Sequence, residues 1–149
     1  MIGRHDFVDI PELDLFAIDA KIDTGAYTSA LHVTKIRPFL QEGALWVKFK
    51  LKHHTHPGYP NKSISLPVFA QKNIRSSSGE EEFRYIIRAH VVLFGRKFLT
   101  EFSLADRSKM DRPVLLGRRL LYRRFIVDVS MVNLSYKESK KEKTTVKKS

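Results

Sequence analysis

The run Asp23-Thr24-Gly25-Ala26 contains one side chain that could do acid–base chemistry, the carboxylate of Asp23. Residues 16–22, directly before this run, alternate apolar and other side chains at period two, which predicts a half-buried strand. An aspartate in a tight turn at a strand end projects its carboxylate outward. Threonine can hydrogen-bond locally and fix the turn, and glycine leaves room for another stretch of backbone to approach closely. Two such carboxylates placed together share one proton, so one can act as a general base on water and the other as a general acid. The tripeptide alone is weak evidence, because aspartate and glycine also favour ordinary surface turns.

A second group of elements, much later in the chain, could complete such a site. Leu115, Leu116 and Gly117 form an apolar run that ends in glycine, and residues 118–124 could form one or two helical turns. The Asp-Thr-Gly-Ala run resembles the fingerprint of aspartic peptidases, and this resemblance implies that residues 115–117 are a strand that passes through the loop of the aspartate strand. A hairpin lies between the two, and the same resemblance implies that its Ser- and Gly-containing tip, residues 76–80, lies over a substrate.

The rest of the chain predicts strands and little helix. Further strands are predicted over residues 7–10, 45–51, 64–68, 83–93, 98–104 and 125–129, with a loop over residues 53–62. Eight or so short strands are typical of a barrel or sandwich, so the fold class is predicted to be all-β.

The run Ala20-Lys21-Ile22-Asp23-Thr24-Gly25-Ala26-Tyr27-Thr28-Ser29-Ala30-Leu31-His32 resembles the signature of a known family. This is the bacterial retropepsin-like aspartic peptidase family, once labelled an ATP-dependent zinc protease. Further pieces match in order: Ser77-Ser78-Gly79, Arg84-Tyr85-Ile86-Ile87, residues 103–107 with Met110, residues 113–119 and residues 125–128. The resemblance covers about residues 2–134.

This resemblance implies a fold, a set of site residues and an assembly. The fold would be a closed acid-protease barrel with one short C-terminal helix, in a peptidase domain over residues 1–134. Asp23 would be the catalytic carboxylate, Thr24 and Gly25 would shape its turn, and a second copy in a homodimer would supply the other aspartate. Substrate contacts are expected from Ala26, Ser78, Gly79, Arg84 and Arg118, and the structural motif is Leu115, Leu116 and Gly117.

The substrate expectation combines the resemblance with the charge. Some family members are similar to the partner of a ligase that adds glutamates to a ribosomal protein, which implies trimming of a poly-glutamate tail and a contact with the ribosome. The formal net charge of +11, spread over the body and a Lys-rich tail, suits an acidic peptide partner. The alternative is a non-catalytic barrel that binds acidic peptide or ribosomal RNA. In the sequence we find no aromatic platform for stacking bases, so a charged surface is the simpler interpretation of its Arg clusters.

Neither a cofactor nor a metal is expected. The sequence lacks a phosphate-binding Gly-x-x-x-x-Gly-Lys-[Ser/Thr] loop, a His-Glu-x-x-His pair and any cysteine. His53, His54 and His56 are interpreted as solvated loop residues, and a metallohydrolase that uses them is a third, weaker hypothesis. No apolar run approaches the roughly 18 residues of a membrane span, so we expect a cytoplasmic protein without a membrane contact. Residues 135–149 are predicted to be a disordered Lys-rich tail.

Overall fold

The computed structural model describes residues 1–51, 62–75, 79–106, 112–122 and 124–140, and these residues form a mostly β structure. Among the described residues no helix is long and apolar enough to cross a bilayer. The strands are β1 (His5–Ile10), β2 (Leu15–Asp23), β3 (Ser29–His32), β4 (Thr34–Gln41), β5 (Ala44–Leu51), β6 (Lys62–Pro67), β7 (Ala70–Arg75), β8 (Glu81–Leu93), β9 (Arg96–Ala105) and β10 (Val114–Gly117). One 3-10 turn spans Pro11–Leu13, one short helix, α1, spans Arg118–Leu121, and residues 134–140 are also helical.

Seven strands form the main sheet in the order β1-β2-β10-β3-β9-β8-β7. β10 lies parallel to β2 and antiparallel to β3, and β3 lies parallel to β9. β1 pairs with β2 and also with β8, through Asp9 and Val92. Strands β4, β5 and β6 form a separate three-stranded antiparallel sheet.

Alternation along the strands produces one hydrophobic core that both sheets share. In β8 the side chains of Ile87, Ala89, Val91 and Leu93 are fully buried, as period-two alternation predicts. The small sheet contributes Val47, Phe49 and Leu51 from β5 to the same core cluster. Each large apolar side chain buried in this way stabilises the fold by about 1.5–3 kcal/mol.

The strand predicted over residues 125–129 is wrong. This segment makes one isolated parallel bridge, between Ile2 and Val127, and Ile126 and Val129 are exposed. Its backbone pairs with the short N-terminal stretch: Ile2 N–H donates to the carbonyl of Ile126, and Asp128 N–H donates to the carbonyl of Ile2. A ladder needs a partner strand of matching length, which this stretch does not supply.

Other boundaries also differ from the expectation. β3, β4 and β7 were not predicted, the predicted strand over residues 64–68 is β6, and the helical turn after Gly117 ends at Leu121. Most of the predicted loop over residues 53–62 lies outside the described residues, although Lys62 already belongs to β6.

The Lys-rich tail was expected to begin at residue 135, but residues 134–140 are helical and Ser135 is buried. Buried Asp6 accounts for this difference. Its carboxylate accepts the N–H groups of Phe7 and Tyr136 on Oδ1 and that of Ser135 on Oδ2, at 2.8, 3.1 and 2.9 Å. Asp6 therefore caps the first turn of this helical segment and ties it to β1. Residues 141–149 lie outside the described residues.

Replacement of Asp6 tests this cap. Burial raises the pKa of Asp6 above its ordinary value of 3.8, although its three backbone donors act in the opposite direction. The native state therefore holds the proton more tightly than the unfolded state, and stability falls as pH rises from 3.8 through the raised pKa. Asp6→Asn places an amide N–H₂ against a backbone donor, so we expect a loss of about 1–3 kcal/mol. Urea unfolding of wild type and Asp6→Asn across the acid range measures both effects. The loss of stability with rising pH should be seen in wild type and should be absent in Asp6→Asn. Identical pH profiles would contradict this assignment.

Candidate active site

Asp23 is the last residue of β2, and the turn after it fixes one oxygen of its carboxylate. Gly25 N–H donates to Asp23 Oδ1 at 2.9 Å, and Ala26 N–H donates to the carbonyl of Asp23 at 3.3 Å. These are the bonds of an aspartate-initiated turn, as the Asp-Thr-Gly spacing predicts. The side chain is half-buried, and Oδ2 has no hydrogen-bond partner among the described residues. The turn therefore holds one carboxylate oxygen and leaves the other without a hydrogen bond from the described residues.

The loop over residues 24–28 crosses directly over Gly117, which is opposite Asp23 in the parallel pair of β2 and β10. A Cβ atom on Gly117 would lie 2.8 Å from the carbonyl carbon of Thr28 and 2.9 Å from the carbonyl oxygen of Ala26. These neighbours are backbone atoms, so they cannot rotate away as a side chain could. Glycine is required here because of this close approach.

The first turn of α1 holds the same loop from the other side. Arg118 N–H donates to the carbonyl of Ala26 at 2.7 Å, and Arg119 N–H donates to the carbonyl of Tyr27 at 3.0 Å. N–H groups at the start of a helix have no partner within the helix, so the loop satisfies two of them. In addition, Arg118 Nη1 lies 3.3 Å from the carbonyl oxygen of Thr24.

A chain of side-chain hydrogen bonds joins this crossing to the neighbouring strands. Gly117 N–H donates to Ser29 Oγ at 3.0 Å, and the hydroxyl of Ser103 donates to the carbonyl of Ser29 at 3.3 Å. Arg84 Nη1 in turn donates to Ser103 Oγ at 3.2 Å. Ser29 and Ser103 are both buried, so these bonds fix β10, β3, β9 and β8 relative to each other.

A cavity of about 540 Å³ opens beside the Asp23 loop. It is lined by Gly25, Ala26, Tyr27, Thr28, Ala30, Lys72, Asn73, Ile74, Arg75, Arg84, Ser103, Leu115 and Arg118. Four of these side chains are cationic and none is acidic. β7 contributes two of the cations, so this strand forms one wall of the cavity opposite the loop.

The four cations differ in how far their charge is compensated. Arg84 pairs with Glu82 at 2.8 Å, Arg75 pairs with Glu81 at 3.6 Å, and Lys72 lies 3.8 Å from Glu101. Arg118 has no carboxylate within ion-pair distance in the part of the chain that the structure describes, and its guanidinium carbon lies 5.6 Å from the ring centre of Tyr27. Glu101 also pairs with Arg119 at 2.5 Å, so the charge of Lys72 is only weakly compensated. Arg118 is the cation of this cavity that has no carboxylate partner among the described residues.

Five of the predicted site residues line this cavity: Gly25, Ala26, Arg84, Leu115 and Arg118. Thr24 is exposed and contributes its carbonyl, while Leu116 is buried in the core beneath the crossing. Gly79 is exposed with a positive φ of 86° and does not line the cavity, and Ser78 lies outside the described residues.

Lys72 and Arg75 were not predicted as site residues, because β7 was not predicted as a strand. They reach the cavity through the pairing of β7 with β8, which places Lys72 opposite Arg84 and leaves no signal in the local sequence. His32 is buried in β3, paired with Ala105, so it belongs to the sheet. His53, His54 and His56 lie outside the described residues, and the described part of the chain holds no group of three metal-ligating side chains.

A mostly β sheet in which a glycine-ended strand passes beneath an Asp-Thr-Gly turn defines the retropepsin-like class. The sequence model of the RimB-like family, described as retropepsin-like aspartic endopeptidase RimB, matches residues 1–138. The chain belongs to this family.

Several longer proteins are similar to the chain. A protein of Shewanella pealeana is 38% identical over 134 residues, which are 87% of this chain and 28% of that protein. A protein of Parasynechococcus marenigrum is 36% identical over 132 residues, which are 86% of this chain and 28% of that protein. Both are named probable alpha-L-glutamate ligase. The chain thus spans 28% of the length of these curated relatives.

A solved structure is similar in fold. It is the crystal structure of a protein of unknown function from Legionella pneumophila, with a TM-score of 0.74 and 19% sequence identity. The match covers 90% of this chain and 96% of that one. The fold of the described residues is therefore shared with an experimentally determined protein.

Gly117→Ala tests the crossing. The added methyl group would meet backbone atoms that the turn of α1 holds in place, so we expect a loss of stability of about 3 kcal/mol, the upper part of the range for overpacking. Gly79→Ala is the matched control, because a Cβ there meets nothing within 4 Å and only its positive φ resists alanine, at a cost of about 1 kcal/mol. Urea unfolding measures both values. A Gly117→Ala variant as stable as the control would show that the loop does not pack on Gly117.

Proposed function

We propose that this chain is an aspartic endopeptidase in which Asp23 activates a water molecule, and that it works as a two-fold homodimer on acidic peptides. The observation that carries the proposal is the Asp23 carboxylate, held on one oxygen by Gly25 N–H, in a turn whose residues Gly25 and Ala26 line a cavity with four cations. We further infer that β1, β2, β10, β3, β9 and β8 close into a barrel, because β1 pairs with both β2 and β8.

The proposed chemistry needs two carboxylates. In the dimer, the two Asp23 carboxyl groups, one from each copy, meet at the two-fold axis. Two carboxyl groups that close cannot both ionise, so the pair holds one proton. The ionised carboxylate takes a proton from water as the water oxygen attacks the peptide carbonyl carbon. The protonated carboxylate then delivers its proton to the amide nitrogen as the C–N bond breaks. Thr24 and Gly25 keep the turn in shape, and the Gly25 N–H fixes the orientation of the carboxylate.

Exposed apolar side chains support a dimer. Met1, Ile126, Val129 and Met131 are 63%, 72%, 72% and 38% exposed, and they lie on two segments that contact each other. The N-terminal segment also contacts β2 near its end, since Ile22 N–H donates to the carbonyl of Arg4 at 2.9 Å. Clustered exposed apolar residues often mark a protein interface. A second copy on this patch would lie close to Asp23.

The cations of the cavity support an acidic substrate. Carboxylates bind arginine through paired hydrogen bonds, and Arg118 has no carboxylate partner in the described part of the chain. The name of the longer relatives, probable alpha-L-glutamate ligase, fits a substrate that carries added glutamates. We therefore propose that a poly-glutamate tail, such as that of a modified ribosomal protein, is the substrate, with Ala26, Arg84 and Arg118 as its contacts.

Mass spectrometry of a glutamate-tailed peptide tests the reaction. We expect wild type to shorten the tail and Asp23→Asn to leave it intact, because an amide cannot take a proton from water. Asp14→Asn is the matched control, since Asp14 is an exposed aspartate with positive φ, which asparagine tolerates. Specific activity should also fall on dilution as the dimer dissociates. If wild type leaves the tail unchanged, the proposed reaction is wrong, and the cavity is then a binding site for acidic peptide. If Asp23→Asn cleaves the tail as well as wild type does, Asp23 is not the catalytic residue.

Arg118→Gln tests the choice of substrate. We expect a KM about tenfold higher for a glutamate-tailed peptide, with little change in kcat, because a charge-assisted hydrogen bond contributes about 1.5–3 kcal/mol. A neutral peptide of equal length should show no change in KM. Arg96→Gln, an exposed arginine beside the ring of Phe98, is the control. A fall in kcat for both peptides would instead mean that Arg118 positions the Asp23 turn through the carbonyl of Thr24.

A further inference from the structure

The three-stranded sheet of β4, β5 and β6 has two different faces. Val47, Phe49 and Leu51 point to the core and are fully buried. The alternate residues of β5, which are Trp46, Lys48 and Lys50, therefore lie on the opposite face. We call this opposite face the outer face.

Strand register places an aromatic row beside a cationic row on the outer face. Phe39 and Trp46 are cross-strand partners, with ring centres 6.4 Å apart, and Pro67 follows on β6. Both rings are partly exposed. Two residues along each strand, Arg37 is opposite Lys48. Paired residues in an antiparallel sheet share a face, so these charges lie directly beside the rings.

The electrostatics of the outer face are unfavourable without a partner. Arg37 and Lys48 are like charges in directly opposed positions, which destabilises a sheet. β4, β5 and β6 contain no acidic residue, and Arg37, Lys48 and Lys50 have no carboxylate within ion-pair distance among the described residues. Lys62, in contrast, is neutralised by Asp14 at 2.9 Å. A bound polyanion would relieve the repulsion between Arg37 and Lys48.

We propose that the outer face binds single-stranded nucleic acid. The phosphates would lie along Arg37, Lys48 and Lys50, and unpaired bases would stack on the exposed parts of Phe39 and Trp46. An acidic peptide would satisfy the cations but would leave the aromatic row unused, which is why a nucleic acid fits better. The site is separate from the Asp23 cavity, because none of these residues lines that cavity.

Fluorescence anisotropy with labelled oligouridine and oligothymidine of about 12 nucleotides tests the proposal on the full chain. Arg37→Glu should weaken binding about tenfold. It should also make the slope of log Kobs against log salt concentration less negative by roughly 0.7 for each phosphate that is no longer neutralised. It should not lower Tm, because it turns a like-charge pair with Lys48 into an opposite-charge pair. Lys97→Glu, which changes net charge equally at an exposed position of β9, is the control and should bind nearly as wild type. A preference for one of the two oligomers would identify which nucleic acid is used and would support the proposal.

Trp46 is the only tryptophan in the chain, so its fluorescence reports on the site directly. We expect quenching on binding, retention of affinity in Trp46→Phe, and a several-fold loss in Trp46→Leu, because base stacking needs an aromatic ring. Equal weakening by Arg37→Glu and Lys97→Glu would overturn the proposal in favour of non-specific attraction by net charge. Binding of the oligonucleotide without quenching of Trp46, together with its displacement by an equally charged glutamate peptide, would overturn it in favour of a peptide site.

Discussion

The close passage of residues 24–28 over Gly117 is the constraint on which the rest of the site depends. It brings β2 and β10 together in parallel and leaves room only for glycine between them. It also brings the loop carbonyls within reach of the first N–H groups of α1, which satisfies groups that would otherwise be unpaired. The Asp23 turn is thus held from below by a strand and from one side by a helix, and its carboxylate keeps one oxygen without a partner among the described residues.

The same arrangement places charge around the turn. The walls of the cavity come from the Asp23 loop, from the paired strands β7 and β8, and from β10 with α1, three parts of the chain that are far apart in sequence and meet only in the folded structure. Arg84 and Arg75 are each paired with a neighbouring glutamate, whereas Arg118 faces the turn without a counter-ion among the described residues. Arg118 therefore brings a positive charge to this turn, and its backbone N–H also holds the loop.

Much of this site could be predicted from the sequence, because its main elements carry local signals. Period-two alternation marked β2 and β8, and an apolar run ending in glycine marked β10. β7 was missed because its sequence, AQKNIR, is mostly polar and its structure comes from pairing with β8. β4 contains Pro38, which weakens a strand prediction. Phe39 and Trp46 meet only through the register of a hairpin, so the sequence alone did not reveal an aromatic platform.

The parallel pairing of β2 with β10 also affects the order in which the chain can fold. Arg118 contacts Thr24 across 94 residues of chain, whereas the β1–β2, β4–β5 and β8–β9 hairpins need only adjacent segments. Closing so long a loop costs conformational entropy before any contact compensates for it, so we expect the hairpins to form early and this junction to form late. During synthesis on the ribosome, β2 cannot pair with β10 until residue 117 has emerged. We therefore expect the Asp23 turn to be one of the last of these elements to reach its folded conformation.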